Sequence, residues 1–459
     1  MRHILVTHVT VTQVTIIIWA MKFYNRETEL QQLAEIENLS HENSQMTVLI
    51  GRRRIGKTKL LLRATENNDV VYLFISKKSE AILSQQFAEE AARALDVPIG
   101  SYQHIAELLE HLMRISAERP FTLIIDEFQE LAKIDPSIIG DIQRVWDLNK
   151  DRSHINLLIS GSMYAMMHKI FEDSKEPLFS RAGNIINLNP FKTSVLKQIL
   201  ADHNPNYTND DLLALYSFTG GVAWYVELLM NAGATTREKM INFIFRENSL
   251  FLNEGKNILI EEFGKEYSIY FSILECIARG INTRSEMESV IGIGDLGGHL
   301  SKLDKDYNII RTRRPILAKT SSKTMQYYIA DNFLTFWFRF IYKYFGYIES
   351  GALNTLKDIV RRDYPTFSGL MLERYFRQQA QESGQHTHIG SFWDRKGENE
   401  IDIILLNEFT KQLTIGEIKR QSKNIHTKLL IDKVDYFLSV HPELKGYQLT
   451  QKELSLEDM

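Results

Sequence analysis

The chain has 459 residues, 44% of them hydrophobic and 24% charged, which excludes a disordered or fibrous protein and leaves room for about three domains. Its 54 basic and 58 acidic side chains give a net charge of −4, so any nucleic-acid contact has to come from local patches. A single cysteine, Cys276, rules out an internal disulfide framework and a cysteine-rich zinc site, and fits a reducing, cytoplasmic setting.

Residues 1–20 (MRHILVTHVTVTQVTIIIWA) resemble a signal peptide only faintly. The apolar run is broken by Thr10, Thr12, Gln13 and Thr15 and is too short to span a bilayer. They are read as a non-native or unstructured extension, with Met21 opening a better-formed start. No other stretch approaches ~18 consecutive apolar residues, so a soluble chain without membrane contact is expected.

From Phe23 the pattern alternates helix and strand. Leu30, Leu33 and Ile36 share a helical face, and MTVLI (46–50) reads as a short apolar strand. VVYLFI (70–75), FTLIID (121–126) and INLLIS (155–160) read the same way, with helices over 80–95 and 103–117 between them. Apolar strands without alternation, separated by helices, indicate a parallel sheet covered on both faces, here over residues 21–204. Residues 205–262 read as short helices around TGG (219–221). Residues 263–332 give three helices, the third lined by Leu296, Leu300 and Leu303, and then two strands around a polar loop. That order is a winged helix-turn-helix. An aromatic segment, 333–369, places Phe333, Trp337, Phe340 and Tyr344 on one face, read as core packing. The last piece, 370–459, carries a helix over 370–381, strands over 388–393, 400–406 and 412–418, and a helix over 426–439.

The segment Gly51-Arg52-Arg53-Arg54-Ile55-Gly56-Lys57-Thr58 fits GxxxxGK[ST] between a strand and a helix. In such a loop backbone N–H groups surround phosphates and the following helix adds its positive end. Lys57 is expected on the β- and γ-phosphates of ATP, the Thr58 hydroxyl on Mg²⁺, and Lys59 beside them. Asp126 and Glu127 end an inner strand, where acids face the ligand crevice. Asp126 suits the Mg²⁺ water shell, and Glu127 suits the orientation and deprotonation of the attacking water. Ser160 closes the next strand and could touch the γ-phosphate or that water. Arg181 could neutralise charge in the transition state, from its own chain or a neighbour's, or lie on the surface. Of Arg52, Arg53 and Arg54, one suits nucleotide and the others a partner or structural contact.

These residues resemble a known family. FYNRETEL, GRRRIGKT, LIIDEFQ, LISGS and PLFSRAGNIINLNPF look like the archaeal-type ATPase family, P-loop proteins of the signal-transducing STAND class related to AAA+ ATPases. The resemblance covers most of residues 22–345. It implies an α/β P-loop NTPase core with a helical lid and a winged helix, and it puts Arg26 near the adenine pocket. The family's lid motif appears as Gly220-Gly221-Val222-Ala223-Trp224-Tyr225, without its proline. The C-terminal piece resembles the family's usual last domain, a small α/β fold similar to PD-(D/E)xK nucleases, with Glu373, Asp402, Glu417 and Lys419 at the matching positions. Residues two apart on a strand share a face, so Glu417 and Lys419 point the same way. Two carboxylates could hold Mg²⁺ there and the lysine activate water, or the domain could be a degenerate docking module. Arg311, Arg313, Arg314 and Lys319 make the wing basic, which suits DNA or an internal docking surface. The expected function is an ATP-hydrolysing switch acting on DNA or a protein partner. An ATP-gated nuclease and a nucleotide-binding scaffold are the alternatives.

Overall fold

The computed structural model describes residues 21–264, 267–319, 325–394 and 398–459, so the reading of residues 1–20 lies outside the described residues. Helix α1 (Glu27–Ser40) precedes β1 (Gln45–Ile50) and α2 (Lys57–Ala64). Then come β2 (Val70–Phe74), α3 (Glu80–Leu95), α4 (Ile105–Glu118), β3 (Phe121–Asp126), α5 (Gln129–Ile134) and α6 (Ser137–Asn149). The unit ends with β4 (Ile155–Gly161), α7 (Tyr164–Glu172) and β5 (Asn184–Asn187). The five strands pair only in parallel, in the order β2-β3-β4-β1-β5. Every residue of β3 and β4 is buried, as strands covered on both faces must be. The carboxyl ends of β1, β3 and β4 open side by side on one edge. The fifth strand has no sequence signal, since Asn-Ile-Ile-Asn is too short to show a period; its pairing with β1 makes it a strand.

A helical region follows: α8 (Thr193–His203), α9 (Asn209–Thr219), α10 (Ala223–Asn231), α11 (Arg237–Ile244) and α12 (Leu250–Phe263). Thr208 and Asp211 start α9 with reciprocal capping bonds, and the helix is buried from Asp211 to Thr219. Next are α13 (Tyr267–Ala278), α14 (Arg284–Ile291), α15 (Gly297–Ser301) and an antiparallel hairpin of β6 (Ile310–Arg313) and β7 (Gln326–Ile329). Leu296, Leu300 and Leu303 are buried as read. Helix α16 (Asn332–Phe336) runs into a wide turn, Trp337–Ile341, and buries Phe333, Trp337 and Phe340, while Tyr344 is only half-buried. Gly255 on α12 lets Trp337 in: a Cβ there would lie 2.3 Å from the indole, whose Nε1 donates to the Leu252 carbonyl at 3.1 Å.

After the short α17 (Phe345–Glu349), the structure departs from the sequence reading. The expected boundary at 369/370 falls inside one helix, α18 (Leu353–Ser383), 31 residues and about 46 Å long. The helix passes through Pro365, and its apolar positions pack on both the helical region and the last sheet. That sheet holds β8 (His388–Trp393), β9 (Glu400–Asn407), β10 (Gln412–Ile418) and β11 (Gln448–Leu454), in the order β11-β10-β9-β8. Helix α19 (Thr427–Val440) buries Leu430, Val434 and Phe437. Strand β11, parallel to β10, is exposed along its length and so shows no apolar face in the sequence. Ile316, just past β6, inserts into the core of this sheet, and its N–H donates to the Ser391 carbonyl at 2.8 Å. No helix among the described residues is long and apolar enough to cross a membrane.

Candidate phosphate-binding site

The loop between β1 and α2 is built for close approach. A side chain at Gly51 would meet the Leu188 carbonyl at 2.9 Å. Arg54 (φ 70°) and Gly56 (φ 100°) are left-handed, which turns successive N–H groups inward ahead of the first turn of α2. Lys57 is buried, its Nζ donating to the carbonyls of Gly51 at 2.7 Å and Arg52 at 3.3 Å. Burial brings its ammonium down to about 8, against the opposing pull of Glu127 and Asp126. Thr58 Oγ1 donates to Asp126 Oδ2 at 2.7 Å. The same carboxylate accepts from the Tyr72 hydroxyl at 2.9 Å, from Ser160 Oγ, and from the Glu127 N–H at 3.0 Å. Glu127 is left-handed too (φ 57°), and its Oε2 accepts from Ser162 Oγ at 2.7 Å and Gln129 Nε2 at 2.5 Å. The loop, Glu127 and Ser162 line a cavity of about 270 Å³, closed on its apolar side by Phe23, Phe191 and Trp224. The oxygen donors of Thr58 and Asp126 suit a hard cation such as Mg²⁺. Tyr72 and Gln129 were missed in the sequence, and at the strand end Ser160-Gly161-Ser162 the choice fell on Ser160 and not on Ser162. Only the alternation along β2, which puts Tyr72 on one face, offered a hint.

Residues 23–229 match the family described as an ATPase domain predominantly from Archaea, and residues 337–429 match one described as "Archaea bacterial proteins of unknown function". The chain is 29% identical over 406 residues to the uncharacterized protein MJECL04 of Methanocaldococcus jannaschii, covering 86% of this chain and 87% of that one. Among solved structures, the Walker-type ATPase of Pyrococcus abyssi superposes with a TM-score of 0.52 at 17% identity, over 69% of this chain and 96% of that one. The Aeropyrum pernix ORC2 protein, solved with ADPNP and ADP, gives 0.49 at 15% identity over 74% and 96%.

The arginines of this loop all point to acids outside the sheet. Arg52 pairs with Asp331 just before α16, and Arg53 pairs with Glu261 on α12. Arg54 Nε lies 3.0 Å from Glu254 on the same helix, with its guanidinium 3.7 Å over the Trp224 ring. Lys59 meets Glu227 of α10 at 3.1 Å. Beside them burial pushes the Glu262 carboxyl up to about 7. Arg26 lines the cavity, donating to the Asn189 carbonyl at 2.7 Å and lying over Phe191. Arg181 is not brought to the loop. It pairs with Asp147 at 3.2 Å, and the neighbouring Gly183 N–H bonds to Met46 at the start of β1. That is the amino edge of the sheet, about 17 Å of strand from the phosphate loop, so Arg181 is held away from the loop of its own chain.

The C-terminal residues converge in part. Lys419 Nζ sits 3.0 Å from Asp402 Oδ2 and 2.7 Å from Glu417 Oε1, so the two carboxylates are no further apart than those bonds allow. Lys433 of α19 holds the other Glu417 oxygen at 2.9 Å, and the Ile418 N–H donates to Asp402 at 2.8 Å. Burial works against the charge on Lys419, but its two carboxylate partners outweigh it and raise its pKa. Glu373 on α18 pairs with Arg377, and burial pushes its carboxyl up to about 7. Among the described residues no three His, Cys, Asp or Glu side chains are grouped to hold a metal ion. The basic hairpin is largely committed: Arg313 lies over the Trp393 ring and donates to Gln326 at 2.8 Å, Arg311 donates to the Asp304 carbonyl at 3.2 Å, and Arg314 reaches Met325. Lys319 is exposed.

Proposed function

We propose that the chain binds ATP with Mg²⁺ and hydrolyses it, and that nucleotide state is passed through a helical lid (205–262) and a winged-helix unit (263–332) to the C-terminal module. The observation that carries this reading is the Thr58–Asp126 bond at 2.7 Å, which joins the phosphate loop to the strand end bearing Glu127. Lys57, freed from its loop carbonyls, contacts the β- and γ-phosphates. Glu127 takes a proton from the water that attacks the γ-phosphorus, while the bond to the β-phosphate oxygen breaks and ADP leaves. Mg²⁺, held through Thr58 and Asp126, supplies positive charge to the phosphate oxygens. Arg26 and the aromatic wall of the cavity suit the base. Any arginine finger of the Arg181 kind would have to come from a neighbouring chain. Lys57→Ala should abolish ATP binding or turnover. Glu127→Gln should bind ATP yet hydrolyse it at least ~100-fold more slowly, because binding needs no base. A wild-type rate in Glu127→Gln removes the base role, and absence of turnover in the unaltered protein leaves a nucleotide-binding scaffold.

A second reading, a metal-dependent nuclease gated by ATP, is favoured by the convergence of Asp402 and Glu417 on Lys419. Asp402 and Glu417 would hold a divalent cation that polarises the scissile phosphate, and Lys419, beside them, would activate water. The expected result is nicking of DNA with Mg²⁺ or Mn²⁺ that is lost in Asp402→Ala. No cleavage with either metal, with or without ATP, makes 370–459 a docking module for a protein partner.

A further inference from the structure

We infer that Gln129 and Ser162 are positioning residues that aim the Glu127 carboxylate at the attacking water; this rests on the hydrolytic reading above. Glu127 stands in a left-handed conformation, which costs a non-glycine residue of order 1 kcal/mol or more and persists only where neighbours enforce it. Three bonds donated by backbone N–H groups do so, one to a side chain and two to carbonyls: Glu127 N–H to Asp126 Oδ1 at 3.0 Å, Phe128 N–H to the Ser160 carbonyl at 3.0 Å, and Glu130 N–H to the Glu127 carbonyl at 2.9 Å. The side chain is fixed in turn. Both Gln129 Nε2 and Ser162 Oγ donate to Oε2, and among the described residues no side chain or N–H donates to Oε1. The carboxylate is thereby held by one oxygen and offers the other to the cavity that Glu127 and Ser162 line.

Gln129 is built into this place. It is 1% exposed at the start of α5. Space for it exists because residue 161 is glycine: a Cβ there would lie 2.5 Å from Gln129 Oε1 and 2.3 Å from the Met167 sulfur. A buried amide with one end on a carboxylate is costly to keep unless its orientation matters, and Gln129 Oε1 has no hydrogen-bond partner among the described residues.

Four variants test the assignment: Gln129→Met, which keeps the volume and removes the donor, Ser162→Ala, Ser162→Thr and Glu127→Gln. Steady-state ATP hydrolysis and calorimetric titration with a non-hydrolysable ATP analogue are read for each. Gln129→Met and Ser162→Ala should lose roughly 10- to 100-fold in kcat while analogue affinity stays within about twofold. Ser162→Thr should restore most of the rate. Neither change should slow Glu127→Gln further, since a residue acting through Glu127 has nothing left to position. Wild-type kcat in Ser162→Ala, or losses that add to those of Glu127→Gln, overturn the assignment while leaving Glu127-dependent hydrolysis intact. Should Gln129→Met not fold, the Ser162 pair decides alone. If the wild-type protein shows no hydrolysis dependent on Glu127, the hydrolytic reading falls and the positioning role with it.

Discussion

Lys57 shows how the environment of one side chain sets a measurable property of the site. Burial lowers its proton affinity to about 8, so the free site loses this cation as pH rises through that value. An anionic phosphate beside it favours the charged form, and binding above pH 8 is therefore coupled to proton uptake. Affinity for an ATP analogue should weaken between pH 7 and 9, and Lys57→Arg, whose guanidinium keeps its charge, should flatten the decline. A flat wild-type profile refutes the shifted lysine. At this scale the sequence was informative where chemistry follows from local connection. Lys57, Thr58, Asp126 and Glu127 meet because a loop and a strand end must open on the same edge of a parallel sheet. Arg181, left open between its own site, a neighbour's and the surface, could not be placed from the sequence for the complementary reason: its position at the far edge depends on β5, a strand of four residues with no period to detect. Gln129 and Glu254 were invisible as site residues, because burial and partner choice decide their roles.

Among the elements, α12 does two things at once. One side carries Glu254 and Glu261 to the loop arginines, and another carries Gly255 against the Trp337 ring. Gly255→Ala gains helix propensity but forces a methyl into the indole, so the net effect should be destabilising by about 1–3 kcal/mol, read as a lowered midpoint in chemical denaturation. An unchanged midpoint means that Trp337 has room to move aside. The periodic helices and apolar strands of the core were legible to within a few residues. Strand β11 was not, since both its faces are wet, and α18, which runs through Pro365, was divided by a domain boundary placed at 369/370. Tyr364, Phe367, Met371 and Leu372, buried on either side of that proline, hold the helix continuous.

For the whole molecule, α18 and the hairpin tie the last sheet to the rest. Arg420 at the end of β10 pairs with Asp210 of α9 at 2.8 Å, and Asp210 also takes Arg237. Ile316 fills the core of the C-terminal sheet from a segment some 70 positions away in the chain. Ile316→Ala should cost about 2–3 kcal/mol there, and amide exchange should quicken in β8 while β1–β5 stay protected. Uniform quickening would make the whole chain one cooperative unit.

The phosphate loop's arginines give the molecule a property that follows from thermodynamics alone. Arg52, Arg53 and Arg54 grip Asp331, Glu261 and Glu254, so on the proposed reading ligand and lid would share one set of cations. If a bound polyphosphate weakens those grips by some factor, any agent that pulls the acids away changes nucleotide affinity by the same factor in return. The coupling is symmetric, so on the proposed reading the helical region would regulate nucleotide binding as much as nucleotide regulates the helical region.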